Sequence, residues 1–225
     1  MKKLFFTMVV VMMAIMSYAQ NALVATLTHG DNISMFYGTY ALQQAHAAAT
    51  NGDIINLSGG NFKSVTITKA LTIRGTGYNA PLRTTIVGDF YISLSETVTD
   101  RLSFEGCHIA NKVDVRGTLS NVLFLKNIIQ SISCRDSDVN MRNAYFVNCR
   151  VYEMILRGNS TTQFINSEIA NFDNMNENTA SASFINCNIR VYKGLYGHYI
   201  SSSQLVNCFT TVPLKWINRS LKSLK

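Results

Sequence analysis

Three arginines have the spacing of a functional column. Arg116, Arg135 and Arg157 each follow an apolar or thiol residue (Val115, Cys134, Leu156) and stand 12, 11 and 11 residues beyond Phe104, Phe124 and Phe146. Guanidinium forks in a row suit carboxylates and sulfates, so the chemistry on offer is recognition of an acidic polysaccharide or surface glycan. Like charges set so close repel. Asp114 and Asp136 are near enough to relieve that, and the plainer reading is a charge-balanced surface stripe. Tyr192, Tyr196 and Tyr199 form a second candidate, a platform for stacking sugar rings, although such tyrosines more often serve as amphipathic edge packing.

Catalytic machinery is harder to find. Inverting glycoside hydrolysis needs two carboxylates facing each other with room for a water. The chain offers Asp114, Asp136, Asp138, Glu153 and Glu168 but no Asp-Asp pair. His29, His46, His108 and His198 share no metal-ligand spacing, which argues against a zinc site, and no cluster of acids reads as a calcium site. The sequence therefore assigns no catalytic residue, no metal and no cofactor.

What must position the arginines is a repeat. One pattern recurs as Leu102-Ser-Phe104-Glu-Gly106-Cys107-His-Ile109, Val122-Leu-Phe124-Leu-Lys126-Asn127-Ile-Ile129 and Ala144-Tyr-Phe146-Val-Asn148-Cys149-Arg-Val151. It returns around Phe164, Phe184 and Leu205, so that successive key positions lie 20, 22, 18, 20 and 21 residues apart. Within a unit, the Phe and the residue two before it point inward and their neighbours outward, the alternation of a strand. The phase then slips by one residue at Gly106, Asn148, Asn166, Asn186 and Asn207, and Gly and Asn best tolerate a left-handed backbone. A second strand set falls between the units at Val113–Gly117, Ile132–Asp136 and Met154–Gly158. Three short strands per turn of about 20 residues, with no helix between them, is the arithmetic of an all-β parallel β-helix solenoid.

Stacked turns place Cys107, Asn127, Cys149, Ser167, Cys187 and Cys208 in one inward column, where Cys serves as a small hydrophobe. Only Cys187 and Cys208 fall on consecutive turns, so a bridge is open to that pair alone. A solenoid needs lids on its open ends. The N-terminal one is expected to be a helix over about residues 40–50, N-capped by Thr39 and stopped at Asn51-Gly52.

Lys2 and Lys3, an apolar stretch from Leu4 to about Met16 and Ser17-Tyr18-Ala19 have the three parts of a secretory signal over residues 1–19. The protein is thus expected to be exported to the periplasm, cell surface or beyond, with no transmembrane segment after cleavage. Loss of the two lysines takes the net charge from +7 to about +5. The charges are scattered, which with export makes nucleic acid a poor partner. One β-helix domain over 20–212 is expected, followed by a basic tail or cap at 213–225.

The run Ala41-Leu42-Gln43-Gln44-Ala45, Asn51-Gly52-Asp53-Ile54-Ile55-Asn56-Leu57, Gly60-Asn61-Phe62 and Val65-Thr66-Ile67-Thr68-Lys69-Ala70-Leu71-Thr72-Ile73-Arg74-Gly75 resembles the opening of bacterial pectin-lyase-like proteins. With the later units, the resemblance spans about 35–210, and it implies a right-handed β-helix. Function follows less closely, because that superfamily holds lyases, hydrolases, esterases, adhesins and passive surface proteins. Of its hydrolase motifs only a Gly197-His198 fragment is present, and Asp89-Phe90-Tyr91-Ile92 is a faint likeness of a methylesterase segment without its Gln-Asp companion. The expectation is a non-catalytic secreted or surface protein that binds polysaccharide or another surface molecule along its exposed face. The competing expectation is a polysaccharide-active enzyme resembling a pectate lyase, with an arginine base.

Overall fold

Each Phe-centred unit supplies a short strand, a left-handed bend and a second strand, and a sheet can grow from such units only by stacking like on like. The computed structural model describes residues 22–94, 100–134, 139–156, 160–174, 181–194 and 205–210, and they form a parallel β-solenoid of about six turns. One sheet runs in parallel through Ile54–Leu57, Thr72–Arg74, Leu102–Glu105, Val122–Leu125, Ala144–Val147, Thr161–Ile165, Ser181–Ile185 and Leu205–Val206. The second follows each bend, from Gly60–Lys63 through His108–Val115, Ile128–Ser133, Arg150–Leu156 and Glu168–Asn174 to Phe209–Thr210.

The two strands expected after each bend are one from Gly106 onward, whereas the earlier turns keep them apart, as Gly60–Lys63 with Thr66–Ile67 and Thr84–Val87 with Phe90–Ile92. His108–Val115 pairs with Ile128–Ser133 from Ile109↔Ile129 to Lys112↔Ser131 across a register irregularity, which bends the strand without ending it. A further small parallel sheet pairs Thr118–Ser120 with Asn140–Arg142.

Register puts Phe104, Phe124, Phe146, Phe164 and Phe184 on top of one another. Their rings stack at centroid distances of 5.3, 4.8, 4.6 and 5.1 Å, and all are fully buried. Phe90 and Phe172 close the column edge-on from the opposite sheet. Each such pair is worth about 1 kcal/mol beyond its burial.

Turning the corner leaves two backbone groups per bend outside the sheet ladders, and the inward column satisfies them. Asn127 accepts the N–H of Cys107 at 2.8 Å and donates to the carbonyl of Phe104 at 2.7 Å. Ser167 accepts the N–H of Cys149 (3.0 Å) and reaches the carbonyl of Phe146 (3.1 Å), while Cys149 Sγ lies 3.2 Å from that of Phe124. The column is therefore a line of hydrogen-bonding groups as well as a hydrophobic filler. All five cysteines are free, Cys187 and Cys208 included; the Cys208 sulfur accepts the N–H of Cys187 at 3.5 Å.

The N-terminal lid has more parts than the expected helix. Val24–His29 and Asn32–Tyr37 form an antiparallel hairpin that extends the first sheet beyond Ile54–Leu57. The helix spans Ala41–Ala48, and its N-cap position is Tyr40 with no side-chain cap, not Thr39. The carbonyl of Thr39 is instead taken by the N–H of Lys63 (2.8 Å), and the carbonyl of Gly38 receives the N–H of Ala41 (3.1 Å). Lys69 finishes the other end, its Nζ donating to the carbonyls of His46, Ala47 and Ala49 at 2.8, 2.9 and 2.6 Å. The leader at 1–19 and the basic tail at 213–225 lie outside the described residues.

Two outcomes test this account. Asn127→Ala leaves a buried N–H and a buried carbonyl unpaired and should cost about 3 kcal/mol in urea unfolding. Asn127→Ser should cost less, because Ser167 does the same work elsewhere in the column. The second outcome concerns His46, which is buried and accepts the N–H of Thr68 at 3.2 Å. Burial, and then Lys69, push its pKa from 6.5 down to about 4. Below pH 6.5 the unfolded chain takes up a proton that the folded chain refuses, so stability falls as pH drops through this window, by about 3 kcal/mol at pH 4. His46→Gln, which keeps an acceptor, should remove that part of the slope in unfolding curves collected across the window.

Candidate functional site

Of the arginine column, the described residues include Arg116 alone; Arg135 and Arg157 lie outside them. Arg116 follows the strand His108–Val115, its N–H bonded to the carbonyl of Ile92 (2.9 Å), and its guanidinium lies 4.0 Å from the centre of the Tyr91 ring. Asp114 pairs with Lys112 at 3.3 Å rather than with Arg116. The Arg116 charge is thus met by the Tyr91 ring and not by the expected aspartate. Tyr196 and Tyr199 are outside the described residues, as are Asp136, Asp138 and His198. Tyr192 is in the strand Asn188–Gly194, in register with Phe172.

The described residues hold a different concave site, at the bend between the two sheets. Its floor is the ladder of left-handed residues: Gly106, Lys126, Asn148 and Asn166 have φ of 66°, 54°, 54° and 50°. Each passes its N–H to the next turn, as Lys126 does to Val147 and Asn148 to Ile165, both at 2.9 Å, so the side chains are left to face outward. The wall is the loop that connects Thr72–Arg74 to Thr84–Val87. It can lie flat on the bend because Gly75 and Gly106 lack side chains; a Cβ on Gly75 would stand 2.7 Å from the Gly106 carbonyl oxygen. Thr76 and Thr84 clasp its base, each hydroxyl accepting the other's N–H at 3.0 Å.

The resulting groove, about 560 Å³, is lined by Tyr78 and Asn79 from the loop and by Lys126, Asn148, Asn166 and the pair Arg150 and Glu168 from the ladder side. Arg150 Nε donates to Glu168 Oε2 at 2.8 Å, and Arg190 from the next turn holds Oε1. Glu168 raises the Arg150 pKa further. The acid is thereby neutralised twice over. Lys126 forms no ion pair among the described residues, which leaves the groove with an excess of positive charge. An aromatic ring, amides and an unpaired cation can hold a polar ring bearing a carboxylate or sulfate. Sequence reasoning missed this site because its wall is a loop outside the repeat. The signal that could have led to it is Lys126, a lysine where the other bends have Gly or Asn.

The buried thiols offer no nucleophile. Burial raises Cys107, Cys134 and Cys149 to about 12 and Cys187 to about 11, so all four stay protonated near neutrality.

No protein-family model matches the chain, and no curated protein or solved structure matches it either.

Lys126 is held in a left-handed conformation that costs a residue with a Cβ about 1–2 kcal/mol. Lys126→Asn should therefore raise stability by about 0.5–1 kcal/mol, measured by urea or thermal unfolding. An unchanged or lower stability would show that the lysine is there for its folding contacts.

Proposed function

We propose that the protein is an exported, non-catalytic β-solenoid of the right-handed, pectin-lyase-like kind that binds an acidic polysaccharide along its exposed face. The observation that carries this reading is the groove at the bend, with the strained cation Lys126 beside Tyr78, Asn148 and Asn166. Strain kept at an exposed position, where Gly or Asn would remove it, points to a use outside folding. The turns repeat at roughly 4.8 Å, close to the advance of one sugar unit in an extended glycan. A bound chain can thus meet Lys126, Asn148 and Asn166 in succession. The export signal at 1–19 and the basic charge fit a partner outside the cytoplasm.

The test is a panel of acidic and neutral polysaccharides incubated with the protein, followed for both binding and product release. Acidic glycans should bind, and binding should fall by about tenfold in Lys126→Asn and in Tyr78→Ala, the former without loss of stability. Raising the salt should weaken binding, since most of these charges face solvent. Retention of full affinity in both variants would remove the groove from the function. Release of unsaturated products that stops in Arg150→Ala would replace the binding reading with a lyase. Arg116→Ala, tested alone and with Arg135→Ala and Arg157→Ala, measures what the arginine column adds.

A further inference from the structure

Among the described residues, the strand Asn32–Tyr37 is the outermost of the ten-stranded sheet and pairs on one side only, with Val24–His29. Its register is unbroken over six residue pairs, so no bulge twists the free edge away, and it contains no Lys, Arg or Pro. Exposed edges normally carry such protections, because their unpaired N–H and C=O groups are a template for another strand. At the opposite end of the same sheet, Leu205–Val206 spans two described residues. The N-terminal edge also carries Ile33, Met35 and Tyr37, exposed by 66, 58 and 62%. They alternate along the strand and so share one face, opposite Thr28, Thr26 and Val24.

We propose that a second copy of this chain occupies the edge, paired antiparallel about a two-fold axis at Met35. A strand paired antiparallel with itself is its own complement, and such an isologous contact closes at two copies. Centring on Met35 sets the two Met35 side chains opposite each other and Ile33 opposite Tyr37 of the second copy, which joins the exposed apolar faces into one. Charge agrees with this register. Asp31, just before the strand, is brought to Thr39 of the second copy, whose carbonyl accepts the N–H of Lys63. Asp31 and Lys63 are exposed and form no ion pair among the described residues. The pairing supplies an acid–base contact at both ends and places no like charges across the axis. The dimer would run the two sheets into one and carry two grooves, and a long glycan able to reach both would bind with avidity.

Sedimentation over a range of concentrations, on the full chain and on the chain starting at Gln20, tests the proposal. Both should dimerise. Met35→Lys, which sets two ammonium groups face to face, should weaken the dimer by about tenfold or more while leaving the circular-dichroism melt of the monomer unchanged. Met35→Cys should give a covalent dimer under mild oxidation that exceeds both the wild-type background and Ser34→Cys, which points to the other face. A protein that stays monomeric in both forms, a dimer indifferent to Met35→Lys, or one seen only in the full chain would each overturn the proposal. The last outcome would assign the contact to residues 1–19.

Discussion

Parallel stacking at one strand per turn imposes a constraint that the rest of this molecule obeys: every side chain must be content with its own kind directly above and below. Phenylalanine satisfies it inside, by stacking ring on ring from Phe104 to Phe184. At the bends the same constraint selects residues that accept a left-handed backbone, and beside them residues small enough to fill the corner yet able to bond its stranded N–H and carbonyl. Cys, Ser and Asn are interchangeable in that column because each meets both needs. Charges satisfy the constraint only by alternating sign along the axis. Arg150 beside Glu168 and Arg74 beside Glu105, each pair in register, do so.

Lys126 breaks the pattern twice. It is a bulky residue at a bend where its counterparts are Gly or Asn, and a cation with no acid above or below it among the described residues. Arg116 departs more mildly, its charge resting on the ring of Tyr91. Departures from a self-consistent repeat mark positions that serve something other than folding. The groove adds a reason at Lys126, since the loop that walls it is admitted by Gly75 and Gly106 and closed by Thr76 and Thr84.

The repeat made the solenoid legible, because Phe, Asn or Gly, and Cys or Ser recur at a spacing that only stacked turns explain. Bend conformations could be read from residue type at Asn148, Asn166 and Asn186, all of which are left-handed. The hairpin before the helix was not legible: Ile33, Met35 and Tyr37 alternate as a strand does, but they face solvent, and nothing in their own stretch repeats. Thr39 misled for a related reason, since its backbone is engaged by Lys63, a partner 24 residues away. The candidate site was the least legible part. Its floor lies in the repeat and its wall outside it, so no local pattern joins Tyr78 to Lys126.

The buried cysteines have a further consequence. Each of Cys107, Cys149 and Cys187 has its sulfur shut inside one corner of one turn, and burial keeps it a thiol rather than a thiolate. This is insulation: an oxidant or alkylating reagent reaches such a sulfur only when its own turn has come apart. The interior column is therefore a set of graduated marks along the axis, and the order in which those thiols become reactive would trace the end from which the solenoid unravels.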